Sequence, residues 1–596
     1  MAPEHGNGDE RLYRLRHSTA HVMAEAVLAI FPEGRLAFGP PIENGFYYDF
    51  DLPRALTTED LAEIEQRMRA IIRGNYPFVH RDVSVDEARE TFAGQPYKLD
   101  QIAKLAAGTE DEHGEAGAEP VSELSIYTHH SFTDLCRGPH VERTGDIPQD
   151  AFKLLSVAGA YWRGDEHQPM LQRIYGTVWQ TKEELDGHLW RLEEAARRDH
   201  RKLGRSLDLF SVQDEGGPGL ICWHPKGARI RRIIEEFWYQ EHERGGYEIV
   251  YTPHVGKASL WAISGHLQNY RESMFAPMDV EGQEYYIKPM NCPYQILIYK
   301  SRLRSYRELP LRWAELGTVY RYERSGVLHG LLRVRGFTID DAHIICRPDQ
   351  VEDEIASIYR FSLKILRAFG FPEFAIYLAT RPEKYIGIPE RWDQATLALR
   401  RALDAVSLPY EVDEGGGAFY GPKIDIKVRD ALGREWQTTT IQFDFNLPER
   451  FEMTYVGEDG QEHQPYVVHR ALLGSLERFF GALIEHYGGA FPAWLAPVQA
   501  EIIPIAERHT AYAFQVAEQL RAAGLRVEVD ESGDRMQAKI RAAQLQKIPY
   551  MLVIGDREAE AGKVAVRLRN GQDLGAQPVA DFVAMALAAV AEKREL

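Results

Sequence analysis

The sequence predicts an α+β protein of several domains, with its largest domain built on an antiparallel sheet. Short β-rich runs interrupted by two long helical stretches occupy about residues 247–490, without regular βαβ alternation. Before them, amphipathic helices alternate with strands, and after Pro492 the pattern changes to a compact α/β unit. A chain of 596 residues is long enough for about three to five domains of ordinary size.

The N-terminal segment begins with apolar residues at helical spacing over residues 10–30, which predicts an amphipathic helix that ends before Pro32. Residues Phe46 to Phe50 are typical of a strand. Residues Thr58 to Arg73 predict a helix with a threonine cap and acids in its first turn. The acidic, Gly/Ala-rich stretch from Gly108 to Pro120 is typical of a solvated loop.

A charged helical stretch from Lys182 to Arg205 predicts a connector between domains. It contains the basic run Arg197–Lys202, for which a solvated helix face is favoured over a nucleic-acid surface. Another amphipathic helix is predicted over Arg229–Arg244, and further helices near 349–369 and 391–407. The predicted strands between them are Glu248–Thr252, Tyr285–Pro289, Thr318–Tyr322, Arg333–Ile345 and Glu435–Phe443.

The C-terminal α/β unit spans about 100 residues, which is the usual size of a domain. Its predicted strands are Ala500–Pro504, Arg526–Val529 and Tyr550–Ile554, and its predicted helices are Thr510–Ala523 and Arg535–Gln546. Residues Val564–Arg569 are typical of a hairpin.

Composition excludes several classes of protein. Hydrophobic residues make up 44% of the chain and 64 residues are aromatic, so the bulk of the chain is not disordered. No apolar run reaches the roughly 18 residues of a membrane span, and Met1 to Arg16 lack the apolar core of a secretory signal. Four cysteines form no disulfide framework, so we expect a reduced, cytoplasmic protein. The net charge of −19 argues against nucleic-acid binding only for the average surface.

Two arginines beside a Gly-rich loop form the first candidate site. Val319–Glu323 and Arg333–Phe337 are predicted strands joined by the loop SGVLHG. Such strands place Arg321 and Arg333 where their guanidiniums can grip a phosphate from both sides, and Phe337 offers a flat face to a purine. From spacing alone, a hairpin with surface arginines is an equally good interpretation.

These residues carry a resemblance to class II aminoacyl-tRNA synthetases. The stretch around Arg321 resembles motif 2 of that class, Gly474–Arg478 resembles motif 3, and Arg229–Arg244 with Tyr251–Pro253 resembles motif 1, the usual dimer element. Within the class the chain resembles threonyl-tRNA synthetases from about Arg11 to its end. The motifs are KPMNCP at Lys288–Pro293, DDAHI at Asp340–Ile344, GPKID at Gly421–Asp425, HRALLGSLERF at His469–Phe479, HSTAH at His17–His21 and CRGPH at Cys136–His140.

The resemblance implies an enzyme that activates L-threonine with ATP and transfers it to tRNA(Thr), works as a homodimer, and removes serine from mischarged tRNA. A small ubiquitin-like N-terminal domain that is usual in the family is expected to be absent, since H-x-x-x-H lies near residue 17. The implied domains are an editing domain at 10–181, a helical connector at 182–205, a class II catalytic domain at 206–494 and an anticodon-binding domain at 495–596.

For the nucleotide, the resemblance implies that Arg321 holds the α-phosphate, Phe337 stacks on adenine and Arg478 contacts ATP from the other side. Glu323 is a further ATP contact by the same resemblance. Negative charge concentrates on the α-phosphate in the transition state, so Arg321, Arg333 and Arg478 are the expected catalytic residues. Mg²⁺ is expected with the nucleotide phosphates.

For a metal, the resemblance implies that Cys292, His343 and His469 hold one zinc ion per subunit. They are far apart in the sequence, so their spacing does not predict a metal site. A single cysteine or histidine of this kind is more often a structural residue of the core. Three protein ligands leave a coordination position open, as in catalytic zinc sites.

The metal accounts for selection of threonine over valine, which has nearly the same shape. A site that must engage the hydroxyl discriminates by about 10⁴ or more, whereas a shape-based pocket does not. By resemblance, Asp341 binds the amino group and the other pocket residues are Met290, Tyr420, Lys423 and Gln442. Ile339 stands where glutamine is frequent in the family, so a polar contact is expected to be lost.

Serine has both zinc-binding groups and lacks only a methyl, worth about 10–200-fold in discrimination, so a second, correcting site is expected. His17 and His21 lie one helical turn apart, and Cys136 and His140 form a second pair. Spacing alone leaves zinc as an interpretation of these four residues. The resemblance instead implies a metal-free editing site that hydrolyses seryl-tRNA. Asp134 and Lys98 belong to it, with Lys98 near the phosphate or ribose of the substrate.

The resemblance also implies that five residues face the anticodon loop, whose unstacked bases present readable edges. As single residues they are equally typical of solvated surface charges. Two other functions stay open, a non-catalytic tRNA-binding paralogue and a sibling synthetase for serine or proline. The five residues are Arg535, Lys539, Arg541, Glu558 and Arg567.

Overall fold

A computed structural model describes residues 7–109, 120–165, 167–406, 409–418 and 420–594. The chain forms two compact units, Met1–Glu193 and Glu194–Leu596. Most of the predicted loop from Gly108 to Pro120 lies outside the described residues. None of the described helices combines the length and apolar character that a membrane crossing requires.

The first unit contains two antiparallel sheets. Strands β1, β6 and β5 pair in that order and pack on helices α1 and α2, while β2, β3 and β4 form the second sheet. The predicted strand and both predicted helices of this segment are confirmed, and Thr57 caps α2 as its type predicts. The elements are α1 (Asn7–Ile30), β1 (Gly45–Asp51), α2 (Thr58–Gly74), β2 (Val79–Ser84), α3 (Val85–Thr91), α4 (Pro96–Ala107), β3 (Glu123–His129), β4 (Phe132–Leu135), β5 (Phe152–Tyr161) and β6 (Met170–Val178).

The predicted connector is two helices and not one, α5 (Lys182–Arg198) and α6 (His200–Ser206). Asp199 interrupts it, because its side chain accepts a hydrogen bond from Arg201 N at 2.8 Å and caps the second helix. Within the basic run, Arg197 pairs with Glu194 and Arg201 with Asp199. These pairs agree with the helix-face interpretation of the run.

The second unit is organised by an eight-stranded sheet in the order β7-β8-β9-β14-β13-β12-β10-β11. All neighbours are antiparallel except the two edge pairs, β7 with β8 and β10 with β11. The strands are β7 (Glu248–Ile249), β8 (Leu311–Tyr320), β9 (Gly336–Cys346), β10 (Phe374–Ala379), β11 (Glu411–Asp413), β12 (Lys423–Arg429), β13 (Glu435–Asp444) and β14 (Tyr466–Ser475). The longer helices of this part are α7 (Pro225–Arg244), α8 (Cys292–Lys300), α9 (Val351–Ala368), α10 (Pro389–Ala405) and α11 (Leu476–Tyr487).

One detail of this sheet corrects the sequence analysis. Strand β8 ends at Tyr320 and β9 begins at Gly336, so Arg321 and Arg333 lie just beyond the strand ends and not within strands. Both arginines therefore sit at the rim of the sheet, where side chains can face an open cavity.

The C-terminal part of this unit is a smaller sheet in the order β16-β15-β17-β18-β19, parallel on both sides of β15 and antiparallel beyond β17. The predicted strands and helices are confirmed, and the hairpin-like Val564–Arg569 is one strand, β18, that pairs with β19. Strand β19, the last helix and a short helix at Asp556–Ala561 were not predicted. The longer elements are β15 (Ala500–Pro504), α12 (Thr510–Ala522), β16 (Val527–Val529), α13 (Met536–Leu545), β17 (Tyr550–Ile554), β18 (Lys563–Leu568), β19 (Asp573–Pro578) and α14 (Val579–Ala591).

Candidate active sites and metal centre

A cavity of about 490 Å³ lies beside the rim of the large sheet. All five sequence-predicted nucleotide residues line it: Arg321, Glu323, Arg333, Phe337 and Arg478. Motifs that are distant in the sequence meet here because β9 is the neighbour of both β8 and β14.

The charges around this cavity suit a polyanion. Arg333 pairs with Glu323 at 3.0 Å, and the Arg321 guanidinium lies 5.1 Å from the centre of the Phe337 ring. Burial, and after it the charge of Arg333, lowers the pKa of Arg478. A triphosphate would supply the negative charge that relieves this repulsion, and Glu323 supplies a carboxylate beside it.

The three predicted zinc ligands come together in the structure. His343 on β9 and His469 on β14 are direct partners across the sheet, and Cys292 begins α8. All three are buried, and their donor atoms lie within 4.8 Å of one another. The register of two strands thus assembles what sequence spacing does not show.

The remaining ring nitrogens of the two histidines explain the fit to a metal. His343 Nδ1 lies 2.9 Å from Gln295 Oε1, and His469 Nε2 lies 2.7 Å from Asp444 Oδ2. Among the described residues, His343 Nε2 has no hydrogen-bond partner, and His469 makes a further hydrogen bond with the Cys292 thiol. Fixing one ring nitrogen so that the other can bind is the usual arrangement around a metal-bound histidine. The donor set of one thiol and two imidazoles fits zinc.

Gln295 and Asp444 were missed by the sequence analysis, although a signal existed. Gln295 follows Cys292 by three residues on one helix, and Asp444 follows Gln442 by two on one strand, so each shares a face with a predicted residue. Burial lowers the pKa of His343 well below its usual range, which favours a neutral imidazole that can coordinate. At His469 burial acts in the same direction, but Cys292 and the Asp444 carboxylate outweigh it and raise the pKa well above the usual range.

The predicted threonine pocket surrounds this triad. Lys423, Gln442, His469 and His343 are successive partners across β12, β13, β14 and β9, so their side chains share one face of the sheet.

The other pocket residues lie beside the same row. Asp341 accepts a hydrogen bond from Asn291 at 3.1 Å, and the Tyr420 ring lies 6.1 Å from that of His469. Met290 Sδ lies 3.1 Å from His266 Nε2. Ile339 does not lie in this row and lines the cavity that also contains Arg321 and Arg478. The Lys423 ammonium pairs with Asp425 at 2.6 Å.

The first unit contains a second cavity, of about 280 Å³, lined by His17, His21, Lys98, Asp134 and Cys136. His140 completes the predicted set, because its ring centre lies 4.2 Å from that of His17 and 4.4 Å from that of His21. All six predicted editing residues therefore come together.

Within this cluster, Cys136 Sγ lies 3.1 Å from His140 Nε2, and Ser18 Oγ lies 3.0 Å from His140 Nδ1. Burial, followed by the charges of neighbouring histidines, lowers the pKa of His21 and of His140 well below the usual range. Neutral imidazoles can accept protons, as general-base chemistry requires.

Asp134 is the fixed centre of this site. It accepts from Tyr48 Oη at 2.6 Å and from Leu135 N at 2.8 Å, and Lys98 Nζ lies 2.6 Å away. Lys98 is buried and bound to Asp134, a partner that the sequence analysis did not foresee. Tyr48 was missed altogether, because a tyrosine on a strand gives no sign of which carboxylate it meets.

A third cluster, Asp199, His200 and Glu485, also brings metal-type donors together. Both ring nitrogens of His200 are in use, since Nδ1 lies 2.7 Å from Glu485 Oε1 and Nε2 accepts from Leu331 N at 3.0 Å. This cluster therefore has no free imidazole nitrogen for a metal. It instead ties the loop that carries Arg333 to helix α11.

The predicted anticodon residues differ in their surroundings. Arg535 and Arg541 are exposed. Lys539 is 4% exposed and donates to Asp530 O at 3.0 Å, Glu558 accepts from Gly555 N at 3.0 Å, and Arg567 pairs with Asp573 at 3.2 Å. Arg535 and Arg541 are thus the pair that this structure leaves at the surface.

Comparison with known proteins agrees with this geometry. Residues 274–487 match the tRNA synthetase class II core domain (G, H, P, S and T), residues 499–588 the anticodon binding domain, and residues 124–175 the threonyl and alanyl tRNA synthetase second additional domain.

Full-length relatives are equally consistent. Threonine–tRNA ligase of Dehalococcoides mccartyi is 56% identical over 97% of both chains, and that of Borrelia hermsii is 54% identical over 94% of both. A crystal structure of the RNA binding domain of threonyl-tRNA synthetase from Cryptosporidium parvum matches with a TM-score of 0.63 and 40% identity, over 66% of this chain and 98% of that one. The predicted resemblance and fold class are confirmed, and the chain belongs to the threonine–tRNA ligase family.

Proposed function

We propose that this protein activates L-threonine with ATP to threonyl-adenylate, transfers it to tRNA(Thr), and hydrolyses mischarged seryl-tRNA(Thr) in its first unit. The observation that carries the proposal is the buried Cys292–His343–His469 triad. Its two histidines lie in register with Gln442 and Lys423, on the sheet whose rim borders the cavity lined by Arg321 and Arg478.

The nucleotide cavity supplies the activation step. Arg321, Arg333 and Arg478 would bind the ATP phosphates and oppose the negative charge that grows on the α-phosphate as the threonine carboxylate attacks. Phe337 would stack on adenine. Mg²⁺, when bound with the nucleotide, would neutralise further phosphate charge beside Glu323.

Threonine selection would depend on the triad and its neighbours. Zinc held by Cys292, His343 and His469 would supply a Lewis acid for the amino and hydroxyl groups of the substrate. Asp341 would accept a hydrogen bond from the substrate amino group, and Gln442 would close the pocket from the neighbouring strand. Valine cannot engage the hydroxyl position, so it leaves that position unsatisfied.

Editing would use the first-unit cavity without a metal. A neutral histidine among His17, His21 and His140 would orient a water and accept its proton as the seryl ester is attacked. The Lys98 ammonium supports this assignment, because it pairs with Asp134, the carboxylate beside His21, and so offsets the negative charge that would favour a metal ion.

Two partners complete the proposal. The C-terminal part would bind the anticodon loop, with Arg535 and Arg541 available at its surface. The segment after α7 exposes large apolar side chains that a homodimer would cover. They include Tyr251, Ile263, Val280, Leu297 and Leu303.

The testing experiment is ATP–pyrophosphate exchange with threonine, serine, valine and proline in turn. We expect exchange with threonine, weaker exchange with serine and none with valine. No exchange from well-folded protein would favour a non-catalytic paralogue, and preference for serine or proline would favour a sibling synthetase.

Metal analysis of the same preparation is an independent test of the proposed zinc site. We expect one zinc per subunit, with exchange lost when a chelator removes it and restored when zinc returns. Deacylation of Ser-tRNA(Thr) should survive the same chelation, and its loss would show that the first-unit cluster needs a metal.

A further inference from the structure

The strand that carries the metal ligand His343 also carries a carboxylate that the proposed chemistry does not use. Asp340 on β9 is fully buried. It is the neighbour of Asp341, and successive residues of a strand point to opposite faces of the sheet. Asp341 faces the metal triad, so Asp340 faces the other side, toward helix α7.

The ladder between β9 and β14 is irregular opposite Asp340. The pairing advances from Ala471 to Ser475 on β14 while β9 advances by only two residues. Residues 472–474 therefore stand opposite Asp340 alone and form a bulge. A bulge removes the regular ladder partners of its backbone groups, which then need other acceptors.

The Asp340 carboxylate accepts hydrogen bonds from the whole bulge. Its Oδ1 accepts from Leu472 N and Gly474 N, both at 3.0 Å, and its Oδ2 accepts from Leu473 N at 2.9 Å and Leu472 N at 3.0 Å. The indole of Trp238 on α7 adds a weaker bond to Oδ2 at 3.3 Å. One side chain thus satisfies three consecutive backbone N–H groups.

Holding a carboxylate here is costly. Burial raises the pKa of Asp340 to about 7, against the opposing effects of the Arg470 charge and the three backbone donors. Arg470 is itself buried over the ring of Tyr247, at 4.5 Å, and among the described residues its guanidinium nitrogens have no hydrogen-bond partner. An apolar residue would avoid this desolvation but would leave the bulge donors unsatisfied.

The bulge leads directly into the nucleotide cavity. Gly474 has a φ of 77°, which favours glycine, and Ser475 Oγ accepts from Arg478 N at 3.0 Å to cap α11. Gly474, Ser475 and Arg478 all line the cavity. The position of Arg478 therefore depends on the path that the chain takes through the bulge.

We propose that Asp340 is a positioning residue for ATP: its carboxylate fixes the 472–474 bulge and so sets where Ser475 and Arg478 face the nucleotide. This inference rests on the proposed use of ATP. It assigns the two neighbouring aspartates of one strand to different substrates, Asp341 to the amino acid and Asp340, through the backbone, to the nucleotide.

The principal test is Asp340→Asn, which keeps the size of the side chain but replaces one acceptor oxygen with an NH₂ group that faces N–H donors. We expect the KM for ATP in the exchange reaction to rise by about 10-fold or more, because small misplacements of binding groups have large kinetic costs. The KM for threonine should change by no more than about three-fold, since its ligands are held by the intact part of the ladder.

The matched control is Trp238→Phe, which removes the fourth donor and leaves the four bonds from the three N–H groups of the bulge. We expect its KM for ATP to stay within about two-fold of the wild-type value. A purely structural role for Asp340 would lower the melting temperature of both variants without moving the KM for ATP, and that result would overturn the proposal.

A measurement on the unmodified protein covers the case in which Asp340→Asn does not fold. Hydrogen–deuterium exchange, resolved to single residues by electron-transfer fragmentation, should show the amides of residues 472–474 protected as well as those of Val467 and Val468 in the regular ladder. Rapid exchange at these three amides would overturn the proposal.

Calorimetric binding of ATP distinguishes a failure of the proposed function from a failure of the proposed role of Asp340. If the unmodified protein binds ATP but shows no threonine-dependent exchange, the proposed function fails while Asp340 can still be judged by the affinity for ATP. If exchange is normal and Asp340→Asn binds ATP like the unmodified protein, only the inference about Asp340 fails.

Discussion

Among the described residues, two clusters combine one cysteine with histidines, and they differ in what surrounds their ring nitrogens. In the second unit, Gln295 and Asp444 occupy one nitrogen of each histidine, and the other nitrogens lie close to the Cys292 thiol. In the first unit, the cysteine and a histidine bind each other, with Cys136 Sγ 3.1 Å from His140 Nε2.

The surrounding charge differs in the same sense. The triad of the second unit has the carboxylate of Asp444 against one ligand and Asp341 nearby, which favours a cation. The cluster of the first unit also has a carboxylate against one imidazole, with Asp134 3.5 Å from His21 Nε2, but there the Lys98 ammonium pairs with Asp134 at 2.6 Å and offsets its charge. Residue types alone therefore do not define a metal site. The hydrogen-bond partners of each histidine and cysteine decide whether it coordinates a metal or transfers a proton.

The strongest test of this difference is Cys292→Ser, which replaces a thiolate ligand with a poor one. We expect the zinc content to fall toward zero and threonine-dependent exchange to fall by about 10³-fold or more, because recognition of the substrate hydroxyl is lost. Deacylation of Ser-tRNA(Thr) by the first unit should not change. Elemental analysis, exchange and deacylation assays measure the three effects.

The matched control is Cys222→Ser, since Cys222 is exposed and lies outside the triad. It should keep zinc and activity. Full zinc retention by Cys292→Ser, together with loss of exchange, would show that this cysteine is not a zinc ligand. The assignment of the triad as the metal site would then be wrong.

The reciprocal test is the double variant His17→Ala, His21→Ala. We expect deacylation of Ser-tRNA(Thr) to fall by about 10²-fold or more, because the general base is removed, while exchange and zinc content stay unchanged. His80→Ala is a suitable control, since His80 lies in the same unit on β2 with an exposed side chain. Undiminished deacylation in the double variant would mean that the editing site lies elsewhere.

A smaller effect is expected from the partners of the metal ligands. Asp444→Asn keeps an oxygen beside His469 Nε2 but removes its charge, so we expect zinc affinity to fall by about 10–100-fold. Competition with a fluorescent zinc chelator measures the change. An unchanged affinity would show that Asp444 supports the strand and has no influence on the metal.

The sequence predicted the fold class well, because long helices and β-rich runs have strong local patterns. The one helical break that it missed, at Asp199, depends on a local capping bond. The register between strands could not be predicted from the sequence, although this register places His343 beside His469. The motif resemblance, and not any spacing, identified those two histidines before the structure did.

The sequence predicted the chemistry of side chains more readily than their partners. Lys98 and Lys423 are cations in the predicted sites, yet each is bound to an aspartate, Asp134 and Asp425. Asp134 lies on a different element from Lys98, so that ion pair depends on tertiary packing and no local pattern predicts it. Asp425 lies two residues after Lys423 on β12 and therefore on the same face, so strand periodicity could have predicted that pair.

The smallest expected effect is in the pH dependence of editing. Burial, followed by the charges of His140, His17, His129 and Lys98, lowers the pKa of His21, and burial likewise lowers that of His140. A base works in its neutral form, so its rate falls only when the pH drops through its own pKa. An ordinary histidine with a pKa of about 6.5 would be roughly three-quarters protonated at pH 6, and the rate would fall about four-fold.

The buried histidines should remain neutral at pH 6, so deacylation corrected for spontaneous hydrolysis should be nearly as fast at pH 6 as at pH 7.5. A half-maximal rate near pH 6.5 or above would mean that the base is solvated, unlike His21 and His140. Such a profile would indicate that a more exposed group is the general base. It would also weaken the proposed difference between a first-unit cluster that transfers protons and a second-unit triad that binds a metal.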